Sequence, residues 1–558
     1  MAKWIISKRK FDNILDQVLY NRGLTGSEKQ SKEDFLNPNF SKLHDPYLMK
    51  NLNQAALRIE KAQKEGEIVG VFADYDADGI PGAALLYRAL TKIGIKTFVY
   101  IPNREGGYGL SVEGIEYLRN KKCSLIITVD LGIRNFSEAL YCKKVGIDLI
   151  VTDHHAPDKV IPRANLVINP KIASDKYPFC DLAGGGVAYK LICGLSKIFP
   201  NDLDESFLKW NLDLVAISTI SDVVSLLGEN RILARYGLHV LKKTKNIGLQ
   251  ELYKIAKIDP ENIGAYHVGF QIAPRINAPG RMDHATKSFE LLVTEDRKEA
   301  RSLALWLEEK NNDRQVAMQE TEAEAFSKIE KNNLTFNSII VVWGDWMKGV
   351  IGPVASRLVE KFSRPVIMFA QEEESYCGSA RSIGDVNILE LVDKSKSYME
   401  KFGGHKGACG LTVSKVKFEG FLSSIIENAN KTIKKEQLQK KINIDAESEI
   451  SDLTIDLWEN LKKLEPYGMG NPKPVFKVTN LEVIGKKYVG AEEKHLAIQF
   501  KKDQDAIKAI FFGGALVGVK IELHNMYDVV FSLDLDTWQG KRELKMNVID
   551  MKVTNETK

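Results

Sequence analysis

Val69-Gly70-Val71-Phe72-Ala73-Asp74-Tyr75-Asp76-Ala77-Asp78-Gly79 decides the fold. A short apolar run gives way to three carboxylates at alternate positions and then a glycine. Helical patterns flank the run at 51–66 and from Ala83 to Leu90, so it reads as a buried parallel strand. Ligands of open α/β sheets bind outside the carboxyl ends of the strands, and the three Asp fall there. Clustered carboxylates repel one another unless a cation lies among them. The stretch therefore predicts a hard divalent-metal site, with the N-terminus of the following helix facing it, an end that favours phosphate. A calcium-binding helix-loop-helix also begins Asp-x-Asp-x-Asp-Gly. It needs Glu at its twelfth position, where this chain has Leu85, and a helix rather than a strand before it.

The pattern repeats outward. A strand at 96–101 leads to the loop 103–109, and a helix at 112–119 precedes Leu125-Ile126-Ile127-Thr128-Val129-Asp130. A helix at 137–144 precedes Asp148-Leu149-Ile150-Val151-Thr152, followed by Asp153-His154-His155. Alternation of strand and helix means a parallel sheet with right-handed crossovers, which sets all these strand ends along one edge. A lone Asp at a strand end is usually a cap or turn residue; three such ends with two adjacent His are harder to dismiss. Leu182-Ala183-Gly184-Gly185-Gly186 is a glycine-rich entry to a helix, suited either to close helix packing or to phosphate contact. The segment 212–220 reads as a buried helix, and Asp222 just after it is a further candidate ligand, because a buried carboxylate is costly unless paired or metal-bound.

Pro274-Arg275-Ile276-Asn277-Ala278-Pro279-Gly280-Arg281 reads as a rigid, turn-prone segment whose two arginines suit phosphate recognition or a structural salt bridge. Thr294 reads as the cap of a long charged helix reaching about residue 330, a spacer between domains. A second α/β unit follows, with strands at 338–343, 365–369 and 376–382. Lys401-Phe402-Gly403-Gly404-His405-Lys406-Gly407 reads as a glycine loop able to close backbone N–H groups on an anion, with Arg381 nearby. Lys431, Lys434, Lys435, Lys440 and Lys441 punctuate a polar helical linker. After the turn cluster 466–472, five short strands and a hairpin turn at 538–542 suggest a small barrel such as an OB-fold. Its aromatics, Phe511 and Phe531 among them, serve either to stack on single strands or to fill the core.

With 558 residues the chain should hold about three or four domains. It is 44% apolar and 27% charged, with a net charge of +4, which permits nucleic acid as a partner without demanding it. No apolar run has the length of a membrane span, and Met1-Ala2-Lys3-Trp4 lacks a secretory pattern. Six cysteines without a Cys-x-x-Cys pair suggest buried thiols in a reducing cytoplasm.

Asp74-Tyr75-Asp76-Ala77-Asp78-Gly79, Val129-Asp130, Asp153-His154-His155 and Ser221-Asp222 together resemble the DHH phosphoesterase superfamily, and Arg381 with Gly403-Gly404-His405 resembles its associated second domain. Glu229-Asn230-Arg231, the segments 274–281 and 466–472 and the terminal barrel resemble one branch, the bacterial single-strand-specific DNA exonucleases, over nearly the whole chain. The implied fold is α/β: a parallel-sheet DHH domain and a DHH-associated domain joined by a long helix, plus a C-terminal OB-fold barrel. The corresponding divisions are an N-terminal segment 1–48, a catalytic domain 49–265, a substrate-contact segment with the connecting helix 266–334, the associated domain 335–415, a basic linker 416–450 and the barrel 451–558.

The resemblance implies 5′-to-3′ release of mononucleotides from single-stranded DNA in repair and recombination, with two manganese or magnesium ions. It assigns Asp74, Asp76, Asp78, Asp130, His154 and Asp222 to the metals, with Asp130 also catalytic, and His155 to the scissile phosphate. Arg275, Asn277, Arg281, Arg381, Gly403, Gly404 and His405 are assigned to the substrate. It further implies a monomer working beside a helicase and a single-strand-binding protein, with no membrane. An oxygen-rich site with one imidazole suits manganese or magnesium better than zinc or copper. Two such ions clamp the attacking and leaving oxygens of an in-line displacement, so no Ser or Cys nucleophile is needed. Phe72 stands where small-substrate relatives carry a metal-binding His, and Pro81, Leu131 and Ser225 also depart from the branch without removing a ligand. Two other functions compete. An oligoribonuclease, cyclic-dinucleotide phosphodiesterase or pyrophosphatase of the superfamily lacks a terminal barrel, and a decayed scaffold protein should have lost the carboxylates.

Overall fold

The computed structural model describes residues 2–24, 31–102, 109–282, 284–515, 521–536 and 542–554. Residues 103–108 of the predicted loop and 538–541 of the predicted hairpin turn lie outside the described residues. The chain divides into two units: Pro46–Asp222 with Gly237–Lys440, and Ala2–Asp45 with Val223–Tyr236 and Lys441–Lys558. The first strand, β1 (Lys3–Ile6), belongs to the second unit.

The first unit is organised on β2 (Ile68–Ala73), β3 (Thr97–Tyr100), β4 (Cys123–Val129), β5 (Asp148–Thr152) and β6 (Leu166–Ile168). They form a parallel sheet in the order β3-β2-β4-β5-β6. Val69, Val71, Phe72 and Ala73 are wholly buried, as befits a strand covered on both faces. The ladder continues one residue past the strand ends. Asp74 donates its N–H to Val129 O (3.2 Å), Asp130 to Thr152 O (3.1 Å) and Asp153 to Ile168 O (3.1 Å). That register aligns the three Asp along one edge, as the alternating pattern predicts. The three-residue β6 is too short to carry a pattern of its own and is not foreseen from the sequence.

Three helices close around this edge. The helix Gly79–Lys92 can turn back sharply from β2 because residue 79 has no Cβ; one there would lie 2.5 Å from Asp74 O. The helix Gly184–Ser196 meets it backbone to backbone, since a Cβ on Gly82 would lie 3.0 Å from Gly185 Cα. The helix Leu212–Ser221 is buried through most of its length and delivers Asp222 at its C-terminal end.

The segment 274–281 is helical, not a turn: Ala273–Asn277 and Pro279–Met282 continue a π-helical stretch, Val268–Ile272. Pro274 and Pro279 sit in first turns, where a missing N–H costs nothing. The spacer helix Arg297–Lys331 spans 35 residues, about 50 Å. Its cap is Asp296, whose side chain accepts from Lys298 N; Thr294 lies two residues outside and accepts from Asp296 N. Met318, Ala325 and Ile329 on its second half enter the core of the second sheet.

That sheet runs β10-β11-β9-β8-β7, from β7 (Ile340–Gly344), β8 (Val366–Gln371), β9 (Ser375–Arg381), β10 (Lys401–His405) and β11 (Ala408–Ser414). The predicted glycine loop is therefore a β-hairpin, β10 pairing antiparallel with β11 as the exposed edge. The helix Lys348–Phe362 covers β7 and β8 on one face. On the other, the helix Phe418–Thr432 buries Phe418, Phe421 and Ile425 against Ile367, Phe369 and Ala380. This part of the predicted linker is thus a core helix; its lysines mark only the solvent end.

In the second unit β1 pairs in parallel with β12 (Lys441–Ile444). A two-residue strand, β13 (Ala446–Glu447), leads into the barrel strands β14 (Phe476–Val489), β15 (His495–Lys502), β16 (Asp505–Phe511), β17 (Met526–Asp536) and β18 (Glu543–Val553). The β14–β17 pairing closes the barrel. Phe511 and Phe531 are buried core residues, not stacking surfaces. Val18, Leu19 and Phe35 share that core with Phe476, Phe500 and Tyr527, so the N-terminal segment folds with the barrel. Arg231 is wholly buried, its guanidinium 3.7 Å from the Phe35 ring centroid. It donates to Phe35 O (2.6 Å), Leu464 O (2.9 Å), Lys463 O (3.1 Å) and Glu465 O (3.1 Å).

Candidate metal centre and active site

The strand-end edge gathers seven groups. His154 Nε2 lies 3.1 Å from Asp130 Oδ1, 3.5 Å from Asp222 Oδ2 and 3.7 Å from Asp78 Oδ2. Three sets bring ligand atoms within 4.8 Å of one another: Asp74, Asp76 and Asp130; Asp78, His154 and Asp222; and Asp130, His154 and His155. The members come from three strand ends and a helix end, and Asp130 and His154 each belong to two sets. Asp130 also holds φ +64°, a left-handed backbone uncommon outside glycine and a form of strain that collects at functional sites.

The electrostatics are those of a cluster built for cations. Burial, then the charges of neighbouring Asp, push the carboxyls of Asp74 and Asp130 well above the usual range and raise Asp76. Burial with Asp78 and Asp76 takes Asp222 to about 9. Burial lowers His154, which favours the neutral, ligating imidazole. Among the described residues neither ring nitrogen of His154 has a hydrogen-bond partner, although both are buried. Carboxylates held against their own repulsion around an unbonded imidazole fit a divalent ion, and the oxygen-rich set fits manganese or magnesium.

Three family descriptions match the chain: "DHH family, N-terminal domain" over residues 68–219, "DHHA1 domain" over 336–435 and "RecJ OB domain" over 444–550. The chain is 33% identical over 544 residues to the single-stranded-DNA-specific exonuclease RecJ of Bacillus subtilis, covering 97% of this chain and 68% of that protein. It is 31% identical to RecJ of Haemophilus influenzae, over 96% of this chain and 95% of that one. This chain belongs to the RecJ family. The crystal structure of RecJ from Thermus thermophilus in complex with Mn2+ matches with a TM-score of 0.84 at 27% identity, over 99% of this chain and 80% of that chain.

In this RecJ-family chain the site is held from behind by groups to which the sequence pattern assigns no role. Asp153 Oδ1 accepts from His154 N (2.7 Å) and His155 N (3.0 Å) and lies 2.8 Å from His155 Nδ1, while Oδ2 accepts from Ile133 N (2.9 Å). Burial alone would lower His155, but this bond and the Asp153 charge raise it, so the partly exposed ring holds a proton more readily than a free imidazole. Asn169, just after β6, donates to His155 O (2.9 Å). The signal for Asp153 is its place directly after a strand of the parallel sheet; Asn169 follows the unforeseen β6 and carries none.

The glycines at 184 and 185 combine the two roles open to them. They allow close helix packing, and their N–H groups bind an anion, but the anion is Asp78: Gly184 N donates to Oδ2 (2.7 Å) and Gly185 N to Oδ1 (2.8 Å), with Ser218 Oγ also donating. A Cβ on Gly184 would lie 2.5 Å from Asp130 Cβ. Asp76 Oδ1 accepts from Asp78 N (2.8 Å) and Gly79 N (3.0 Å), so the N-terminus of the helix Gly79–Lys92 holds this carboxylate in place.

The residues read as substrate contacts divide. Asn277 Oδ1 accepts from Ala77 N (2.7 Å) and fixes the acidic loop. Arg275 forms the structural alternative, a two-pronged pair with Glu308, and also donates to Gln271 O (2.7 Å). Arg281 donates to Gly349 O (2.9 Å), which ties the segment to the first turn of the helix beside the second sheet. Arg381, Ala408 and His405 stand in one cross-strand row, on the face where Gly403 and Gly410 pair. A Cβ on Gly403 would meet nothing within 4 Å, whereas one on Gly404, at φ +152°, would strike Ala408 O at 2.3 Å. Phe72, by contrast, packs on Tyr100 with ring centroids 5.0 Å apart, inside the hydrophobic core.

Proposed function

We propose that this chain is a metal-dependent exonuclease that removes mononucleotides from the 5′ end of single-stranded DNA. The observation that carries the reading is the convergence of Asp74, Asp76, Asp78, Asp130, Asp222 and His154 in a RecJ-family chain. Manganese or magnesium ions, when bound, activate water and stabilise the charge of an in-line displacement. Asp74, Asp76, Asp130, Asp222 and His154 hold those ions. Asp78, gripped by two backbone N–H groups, reaches the same set with its Oδ2 edge. Asp153 fixes Nδ1 of His155, favours its protonation and so presents the other ring nitrogen to a phosphate oxygen. Arg381, His405 and the Gly403 backbone form the open face that takes a neighbouring phosphate. Arg281 orders that face relative to the metal loop. The barrel of the second unit is itself a nucleic-acid-binding domain. On this reading the enzyme works as a cytoplasmic monomer in DNA repair and recombination, beside a helicase and a single-strand-binding protein.

Digestion of 5′-labelled and 3′-labelled oligonucleotides, DNA beside RNA, with and without Mn2+, tests the proposal. It expects labelled mononucleotide first from 5′-labelled DNA and none without metal; release from the 3′ end first, or activity without metal, would overturn it.

A further inference from the structure

Tyr266 and Phe270 are 63% and 70% exposed, yet stacked on each other with ring centroids 4.9 Å apart at 27°. Single exposed aromatics are ordinary on protein surfaces; this pair is distinguished by where it leads. Val268, Ile272 and Ile276 bury one side of the helical run. The opposite side is a continuous ridge at helical spacing, Tyr266, Phe270, Pro274, Asn277 and Arg281. Its far end is the metal loop, through the Asn277 bond to Ala77 N. The aromatic end is carried on a π-helical stretch, a rare geometry that recurs at functional sites.

The surroundings suit a nucleic acid strand. The ring of His267 stands edge-on to Tyr266, with centroids 5.8 Å apart at 88°. The charge of Lys242 reaches His267, opposed by Asp259. Lys242 and Lys243 are exposed. Gly269 leaves the flank of the pair clear, since a Cβ there would meet nothing within 4 Å.

We infer that the Tyr266–Phe270 pair is a stacking platform for nucleobases of the bound strand, a subsite beyond the metal centre. This rests on the exonuclease reading above. Every base presents a π-face, so such a platform binds without sequence preference. At a rise of about 1.5 Å per residue, Phe270 lies about 10 Å and Tyr266 about 16 Å along the ridge from Asn277. At about 3.4 Å per stacked nucleotide, that places the platform near the third to fifth nucleotide from the metal loop.

The test uses the full-length protein with Mn2+ and two substrates, a 20-nucleotide single strand and a dinucleotide. The Tyr266→Ala/Phe270→Ala variant is expected to raise KM for the 20-mer roughly tenfold, with kcat and dinucleotide hydrolysis unchanged. Tyr266→Phe, which keeps the ring, should keep the wild-type KM. A single abasic nucleotide walked along the 20-mer should raise the wild-type KM most at the third to fifth position and add nothing in the double variant. An unchanged KM, equal losses on both substrates, or the same abasic profile in variant and wild type would each overturn the platform and leave the exonuclease reading standing. A wild-type protein that cleaves neither substrate would overturn both.

Discussion

Two regions of this molecule bury charge without a matching countercharge, and they solve the problem differently. Arg231 has four backbone carbonyls and an aromatic face around its guanidinium. Burial pulls it down to about 9, which still leaves it charged at neutral pH. Its surroundings are complete, and the residue joins three stretches of its unit. The strand-end cluster has the opposite character. Asp74, Asp130 and Asp222 are held above their usual range by burial and by neighbouring Asp, and among the described residues the two His154 nitrogens lack hydrogen bonds. Buried charge therefore points to a ligand here because the His154 nitrogens among it have no hydrogen-bond partner among the described residues, not because the charge is buried.

The largest expected effect separates the two regions by function. Asp130→Ala should lower the nuclease rate by on the order of a thousandfold or more, because it removes one of the two residues, with His154, that belong to two candidate ligand sets. Its melting temperature without metal should not fall, since a source of repulsion goes with it. Full activity in this variant, measured as kcat on a 5′-labelled strand, would break the comparison. Arg231→Met should do the reverse. It takes a donor from four carbonyls, of which Leu464 O and Lys463 O keep one from Asn471 and Arg235, and should cost roughly 3 kcal/mol in denaturant unfolding, with dinucleotide hydrolysis retained. Loss of metal-dependent cleavage at unchanged stability would count against a structural Arg231.

A smaller effect sharpens the account of the cluster. Asp153→Asn keeps the shape but removes the charge that orients His155, and a drop in kcat of about 10- to 100-fold is expected. The alkaline limb of the pH–rate profile should also shift to lower pH, because the raised His155 pKa depends on that charge. An unmoved profile would assign Asp153 to folding alone.

The smallest effect is on stability. In the metal-free protein Asp222 titrates at about 9, against about 3.9 in an unfolded chain. Between those values the folded state binds the extra proton, so this group's contribution to stability is full below about pH 4 and is lost as pH rises toward 9. Asp74 and Asp130 act in the same direction. The metal-free melting temperature should therefore drift down by a few degrees from about pH 5 to about pH 9, and the gain on adding Mn2+ should grow with pH. A gain that shrinks with rising pH would contradict the electrostatics described here.

Much of the first unit was legible because its signals are local. An apolar run closed by Asp fixes both the strand and the edge on which its carboxylate falls, and three repetitions predict the site. What was not legible depends on partners far along the chain. Nothing near Val18 or Phe35 indicates that they pack against a barrel more than 400 positions away. The same holds for Gly184 and Gly185, whose N–H groups hold Asp78 more than a hundred residues earlier. Arg275 and Asn277 read as phosphate ligands from type and spacing, but only the fold supplies Glu308 and Ala77 N as their partners. The glycines of 401–410 suggested a loop because glycine is weak in strands; the pairing with β11 overrides that preference.

The central claim is that the strand-end carboxylates and His154 gather to hold divalent cations. Calorimetric titration of the metal-free protein with Mn2+ at about pH 7.5, in two buffers of different ionisation enthalpy, tests it most directly. The account predicts saturable binding with net proton release, because Asp222 carries a proton before the metal arrives, and loss of that binding in Asp130→Ala and His154→Ala. Binding that releases no protons, or that survives both substitutions unchanged, would contradict it.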